Sequence, residues 1–387
     1  MIRVHLRFLN LYLKQPNITR FLLYFLMQTK LRFANTARSQ FFATVRQRVD
    51  AYFRENGLSP HANGVMWAKT AFFLGGYILL YVLILSNQFG TWTMLAMAIV
   101  LGMFAAFIGF NVSHDALHGA FSSHRWVNKL LGDTFYLLGA NAYLWKITHN
   151  VVHHTYTNIH GHDDDLEIAP GLVRVDADEP LRPWQRFQHY YAFGLYSLAS
   201  LSWVLSKDYV KFFTKRFGFY DNSSHPRREY IRLFATKAAY YFFFLVLPYL
   251  LLDLTWWQLA IGFLLMHLVE GLVLGLVFQL AHVVDGTSFP VPINETTIEE
   301  AWAVHQMHTT ANFAPRSAVV SFFCGGLNRQ IEHHLFPKVC HVHYPAISVL
   351  VKQTAQEHGL PYLENPTFGS ALHSHYRLLK KLGRASE

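Results

Sequence analysis

Four stretches of the chain stay apolar for about the 20 residues that a bilayer-spanning helix needs. They cover 65–85, 91–110, 233–252 and 256–277, and the helical pattern of the last can continue to His282. The stretches come in two pairs, the first joined by SNQFG and the second by DLT. Turns this short predict two antiparallel helical hairpins. Lys69 and Lys237 fall near the starts of their spans, where long side chains are expected to snorkel toward the interface. Two weaker apolar patches, WVNKLLGDTFYLLGANAYLW and FQHYYAFGLYSLASLSWVL, are broken by polar residues or glycine. Both are expected as helices on the membrane surface or against the spans.

Charge gives the hairpins a direction. Neither turn contains Lys or Arg, whereas ten basic residues lie between Arg3 and Arg54 against only Asp50 and Glu55. The positive-inside rule puts the N-terminus in the cytosol and both turns outside. An even number of spans then returns the C-terminus to the cytosol. The chain is 52% hydrophobic and 15% charged, where soluble domains carry about 25% charged residues. Much of the surface is therefore expected to face lipid. The net charge of +9 fits anionic head groups. Nucleic acid is not indicated, because no nucleic-acid motif accompanies the charge.

The N-terminal MIRVHLRFLNLYLKQPNITRF lacks a signal peptide's compact apolar core and cleavage site. It reads as an interfacial amphipathic helix. The expected division is a cytosolic segment 1–64, a membrane domain 65–361 and a cytosolic tail 362–387. Two cysteines, Cys324 and Cys340, fit a reducing compartment and are too few for an iron–sulfur cluster.

Three histidine clusters carry the chemistry: HDALH at His114 and His118, HNVVHH at His149, His153 and His154, and QIEHH at Gln330, His333 and His334. With the orientation above, all three fall on the cytosolic side. Histidine is the commonest side-chain metal ligand. On an α-helix His114 and His118 share a face, as do His149 and His153, while His154 is turned about 100 degrees away. His333 and His334 diverge in the same way. His282 ends the fourth span, and an ionisable residue at membrane depth points to function. His305 and His308 can be ligands or support them, with support or a structural role expected. Asp163, Asp164 and Asp165 can orient ligand histidines or form a solvated acidic loop. Imidazole suits zinc, copper, iron and nickel alike. Eight or nine candidates exceed one zinc site and fit two centres of higher coordination, as iron accepts. The predicted fold is thus all-α and integral to the membrane: four transmembrane helices in two hairpins, with a cytosolic helical cap carrying a histidine-ligated metal site.

HDALH, HNVVHHTYTN, the following DDDLE and QIEHHLFP resemble the three histidine boxes of integral-membrane fatty acid desaturases. The resemblance is to the front-end or linoleoyl-CoA type, in which glutamine replaces the first histidine of box three. WAVHQMHTTANF, FFCGGLNRQ, CHVHYPAI and RQRVDAYFRENGLSPHAN are similar to that type as well, so the resemblance spans about 41–361. It implies two non-haem iron ions, oxygen activation and a cis double bond inserted into an acyl-CoA or acyl-lipid. It also implies His114, His118, His149, His153, His154, His333 and His334 as ligands, with Gln330 acting through its amide oxygen or a water. His282 matches the extra histidine that stearoyl-CoA desaturases supply after the fourth span. No HPGG haem motif of a fused cytochrome b5 occurs, so electrons are expected from a separate carrier of ferredoxin or cytochrome b5 type.

Rival readings remain at this point. A membrane hydroxylase or ketolase can use the same metals and add one oxygen instead of removing two hydrogens. A metal transporter or sensor would place polar ligands deep within the spans, whereas these histidines gather toward one face. A membrane zinc hydrolase would act without oxygen.

Overall fold

The computed structural model describes residues 30–34 and 40–384, apart from 164, 167, 168, 170, 178, 218, 294 and 295. The N-terminal segment read as an interfacial helix lies outside the described residues, as does Asp164. Helix α1, Gln40–Glu55, buries Phe41, Val45, Val49 and Phe53. This spacing of four gives one apolar stripe, which packs with Ile347, Val351 and Ala355.

Among the described residues, four helices are long and apolar enough to cross a membrane: α2 Gly64–Leu85, α3 Thr91–His118, α4 Arg227–Leu251 and α5 Trp256–His282. Asn63 caps α2 by accepting from the Met66 N–H at 3.1 Å. Thr255 and Gln258 form a capping box at the start of α5. The third helix starts six residues before the sequence-based boundary at 233, because Pro226 precedes a regular turn that carries Arg227 and Arg228. The second runs on to His118, and Gly119 ends it in the left-handed conformation at φ 75°.

Small residues set how closely the helices approach. A Cβ on Gly102 of α3 would lie 2.2 Å from the Met266 carbonyl oxygen of α5. One on Gly271 of α5 would lie 2.3 Å from the Ser197 carbonyl oxygen. In lipid, where apolar contact gives little net drive, such close packing is a main source of helix association. The two turns meet at one end, where the Asn87 amide donates to Asp253 at 2.7 Å.

The weaker patches form short helical pieces. One set covers Arg125–Gly132, Asp133–Leu138 and Ala142–Trp145; the other begins with Gln188–Ser197 and Ala199–Ser202 and lies along α5. Neither patch is long enough to count among the candidate spans. Beyond α5 come α6 Trp302–Thr309, α7 Gln330–Leu335, α8 Tyr344–Glu357 and α9 Phe368–Leu382. On α9, His375 donates from Nδ1 to the Val283 carbonyl at 2.6 Å, and its Nε2 meets the Tyr196 hydroxyl at 2.9 Å. Strand is confined, among the described residues, to three two-residue pairs.

The lysines of the spans overturn one expectation. Neither snorkels. Lys237 is 3% exposed and pairs with Asp208 at 2.8 Å while donating to the carbonyls of Gly139 and Trp203. Lys69 is 7% exposed and bonds to His341 at 2.8 Å. A buried charge is tolerable only when paired and hydrogen-bonded, and partners from outside the spans reach both amines here.

Candidate metal centre

The end of the helices opposite the joined turns gathers the three histidine clusters and His282. His114 and His118 sit on the last turns of α3, just after a π-helical segment at Gly109–Ser113. His149 and His153 lie on another π-helix, Lys146–His153, with His154 directly after it. His333, His334 and Gln330 belong to α7, and His282 closes α5.

The π-helix corrects the geometry expected for the second cluster. In π winding, with hydrogen bonds from i to i+5, positions four and five apart both flank one face. His149 and His154 therefore come together, their Nε2 atoms 3.3 Å apart. His153 still stacks beside His149, ring centroids 5.0 Å apart, and also groups with His282 and His334. The expected sharing of a face by His149 and His153 therefore holds, and His154, expected rotated away, comes beside His149 as well.

Three groups result whose ligand nitrogens lie within 4.8 Å of one another: His114, His118, His149 and His333; His153, His282 and His334; and His154, His333 and His334. The rings are held from behind. Nδ1 of His153 donates to Asp163 at 2.9 Å and that of His149 to Asp165 at 3.2 Å. His334 Nδ1 donates to the Gln306 Oε1 at 2.7 Å, and His282 Nδ1 to the Thr309 carbonyl at 3.3 Å. The Tyr344 hydroxyl meets His333 Nδ1 at 3.2 Å. With Nδ1 protonated by such a bond, Nε2 keeps its lone pair facing inward, the arrangement metal-binding histidines favour.

The residues present fit metal ions. The buried Nε2 atoms of His118, His153 and His333 have no hydrogen-bond partner, which would be costly unless something else binds them. Two nitrogens held at roughly 2.1 Å by one ion stand about 3.0–3.4 Å apart for right to tetrahedral angles. The His149–His154 separation of 3.3 Å falls in that range. Burial first, and then the neighbouring imidazoles, hold His149, His154, His333 and His334 well below the usual imidazole range. They are neutral at pH 7, so each ring keeps a lone pair of the kind a metal takes. Burial also opposes the charge on His153, but Asp163 beside it, with Asp165, outweighs burial and raises its pKa.

Gln330 faces this centre. Its Nε2 lies 3.0 Å from His282 Nε2 and 3.3 Å from His334 Nε2. Both acceptors are lone-pair nitrogens, so the amide donates to them. Glu332, next to the third cluster, points elsewhere. It accepts from Tyr362 at 2.7 Å and Asn312 at 2.9 Å, and burial pushes its carboxyl up to about 7. His305 is fully buried but belongs to no ligand group, and His308 bonds Glu300 at 2.8 Å. Gln306 between them reaches the centre with its side chain, as Thr309 does with its backbone carbonyl. Sequence reading missed it because the adjacent histidines drew attention. A polar, uncharged residue within WAVHQMHT gives no sign of which face is buried.

A cavity of about 140 Å³ opens beside the histidines, lined among others by His114, His149, Trp145, Trp203, Phe278 and Gln330. Its apolar walls next to convergent nitrogens suit a hydrocarbon chain brought to a metal. A fourth group, Asp115, Cys340 and His341, also has ligand-compatible spacing, but the Lys69 amine is already bonded to His341 there.

The model of the fatty acid desaturase family matches residues 90–366. The chain is similar to the sn-1 linoleoyl-lipid 6-desaturase of Synechocystis sp., 36% identical over 93% of this chain and 100% of the relative. It is also similar to the acyl-lipid (8-3)-desaturase of Physcomitrium patens, 35% identical over 91% of this chain and 74% of that protein. The sn-1 linoleoyl-lipid 6-desaturase of Arthrospira platensis is 35% identical over 87% of this chain and 91% of its own length. With histidine-rich groups at one end of four apolar helices and a family match across most of its length, the chain belongs to the fatty acid desaturases, oxidoreductases that act on fatty acyl chains.

Proposed function

We propose that the protein is an oxygen-dependent, two-iron desaturase that inserts a cis double bond into the acyl chain of a membrane glycerolipid. The observation that carries this reading is the set of buried imidazoles held through Nδ1 with Nε2 facing inward. His114, His118, His149 and His333 would hold one ion, and His153, His282 and His334 the other, with His154 between the two groups. Two iron ions bound there supply the activation of oxygen and the removal of two hydrogens from neighbouring carbons. The relatives named for acyl-lipid and linoleoyl-lipid substrates support a lipid-borne acyl chain over acyl-CoA.

The protein's own part is positional. Asp163, Asp165, Gln306 and Thr309 fix the ring orientations. Trp145 stacks on His149 with ring centroids 4.2 Å apart and walls off that side of the cavity. Phe278 closes over His153 and His282, at 5.1 and 4.9 Å. These apolar walls exclude water and set which carbon meets the metals, and a misplacement of about 1 Å can cost on the order of 100-fold in rate. Gln330 would act through its amide oxygen, which requires the amide turned over from the orientation in which Nε2 donates.

The same reading makes 65–361 the catalytic membrane unit, built of two hairpins under a helical cap. Segment 1–64 and tail 362–387 lie on the cytosolic side with the metal centre. Electrons come from a carrier of ferredoxin or cytochrome b5 type. Trp92 and Trp256, 83% and 73% exposed at the starts of α3 and α5, fit an aromatic belt at the outer interface. Cysteines placed at Ser86 and Thr255 should label from outside, and one near His160 only from the cytosol.

Expression in a host poor in polyunsaturated lipids, with gas chromatography and mass spectrometry of total fatty acids, tests the reaction. A product two hydrogens lighter than its precursor is expected. A product one oxygen heavier would make the protein a hydroxylase, and activity without oxygen would remove the iron reading altogether.

A further inference from the structure

An ammonium carries three N–H donors, and the buried amine of Lys237 on α4 has three partners. It donates to the carbonyls of Gly139 and Trp203, each at 2.6 Å, and the Asp208 carboxylate lies 2.8 Å away. The partners come from two segments that both line the cavity beside the histidines. Gly139 stands between Phe135 and Trp145, and these two aromatic side chains and Trp203 face that cavity. Phe135 packs against both tryptophans, with ring centroids 5.4 and 5.7 Å apart. Asp208 follows Trp203 by a little over one turn, at the start of the helix Asp208–Phe213. The junction has no slack. A Cβ on Gly139, whose φ is +72°, would lie 2.4 Å from the Val204 side chain and 3.1 Å from the Tyr240 ring. The Tyr241 hydroxyl of α4 adds a bond to the Val204 carbonyl at 2.6 Å.

We propose that Lys237, with Asp208 as its counter-ion, is a positioning residue for the acyl chain: it pins the two wall segments together behind Phe135, Trp145 and Trp203 and so sets which carbon meets the metals. This rests on the reading of that cavity as the acyl site. An ionisable side chain within a span is costly and points to function. The bonds of this one go to the backbone of the wall and to Asp208, none to a histidine of the metal centre. Directional bonds hold a backbone in one place, whereas apolar packing alone accepts exchange and small shifts. A wall displaced by the length of one carbon–carbon bond would bring a neighbouring carbon to the metals.

The test maps double-bond positions in the products by mass spectrometry of derivatised fatty acids from cells expressing each form, with iron measured on the purified proteins. Lys237→Met alone leaves Asp208 buried without its counter-ion. Lys237→Met/Asp208→Asn removes both charges and is compared beside it. The double variant should keep wild-type iron and still desaturate. Product with the double bond displaced along the chain should rise about 10-fold or more relative to the main product. An unchanged product ratio, or no product at all, in an iron-loaded double variant would overturn the proposal and leave the desaturase reading standing. Loss of iron or of folded protein from both variants would overturn it too, since the tie would then hold the fold and not the wall. Wild-type products without any double bond would end the desaturase reading, and the proposal with it.

Discussion

The two ends of the four long helices are built on opposite principles. At one end, nitrogen and amide groups from α3, α5, α7 and a π-helical segment converge, and the ring orientations of several histidines are fixed by hydrogen bonds from behind. The adjoining cavity is only about 140 Å³. At the other end, a cavity of about 430 Å³ is lined mostly by apolar side chains, including Met94, Ala98, Leu101, Phe263 and Met266. There the turns are tied by exposed groups, Asn87 and Asp253. Metal chemistry needs ligands held to within about 0.5 Å, and directional bonds supply that. Apolar side chains pack without directional demands and tolerate exchange when volume is kept. The difference predicts that substitutions at the histidine end act on chemistry, while those at the far end act weakly and on packing.

The largest effect is expected at a ligand. His153→Ala should abolish product formation and lower bound iron, a loss beyond the about 10–100-fold that removing a supporting partner costs. Full activity in that variant would end the distinction between the two regions. Gln330 comes next. Gln330→Ile keeps bulk but loses the donor atoms and should lose most activity, whereas Gln330→His should retain part of it, since an imidazole reaches a similar position. Equal, wild-type activity and iron in both would mean that Gln330 only packs.

A step below stands Gln306. Its carbonyl oxygen fixes His334 and also accepts from the Thr157 hydroxyl at 2.9 Å. Gln306→Leu should weaken iron retention by about 10–100-fold, read as iron lost during dialysis against a chelator, with thermal unfolding of the metal-free protein little changed. Unaltered iron retention would show that His334 needs no such support. At the outer end, Ala98→Leu fills part of the apolar cavity and should leave iron content at the wild-type value. Smallest of all, Asp253→Ala removes an exposed tie between the turns and should shift stability by no more than about 0.5 kcal/mol. A large loss of iron from either outer variant would contradict the separation drawn here.

Much of the site was legible because its residues are chemically loud. Clustered histidines in an apolar chain, and the run of acids after the second cluster, announce a metal centre whichever way the local helix winds. The winding itself was not legible. A π-helix at Lys146–His153 obeys no sequence period that distinguishes it from an α-helix, so His154 was expected apart from His149 and is found beside it. The spans were read from hydropathy to within a few residues at most ends, and the α4 start was missed because Arg227 and Arg228 lower the local hydropathy while extending the helix. Lys69 and Lys237 were expected to reach water, since nothing local reveals partners supplied by His341 or Asp208 from far along the chain. Gln306 was overlooked for the same reason: its role depends on His334, 28 residues away.

The central claim is that the buried histidine end holds two iron ions. Elemental analysis of the protein purified from iron-replete cells tests it most directly. About two irons per chain in wild type, falling in His153→Ala, is the result predicted. Stoichiometric zinc in place of iron, or iron content unchanged by His153→Ala, would contradict it.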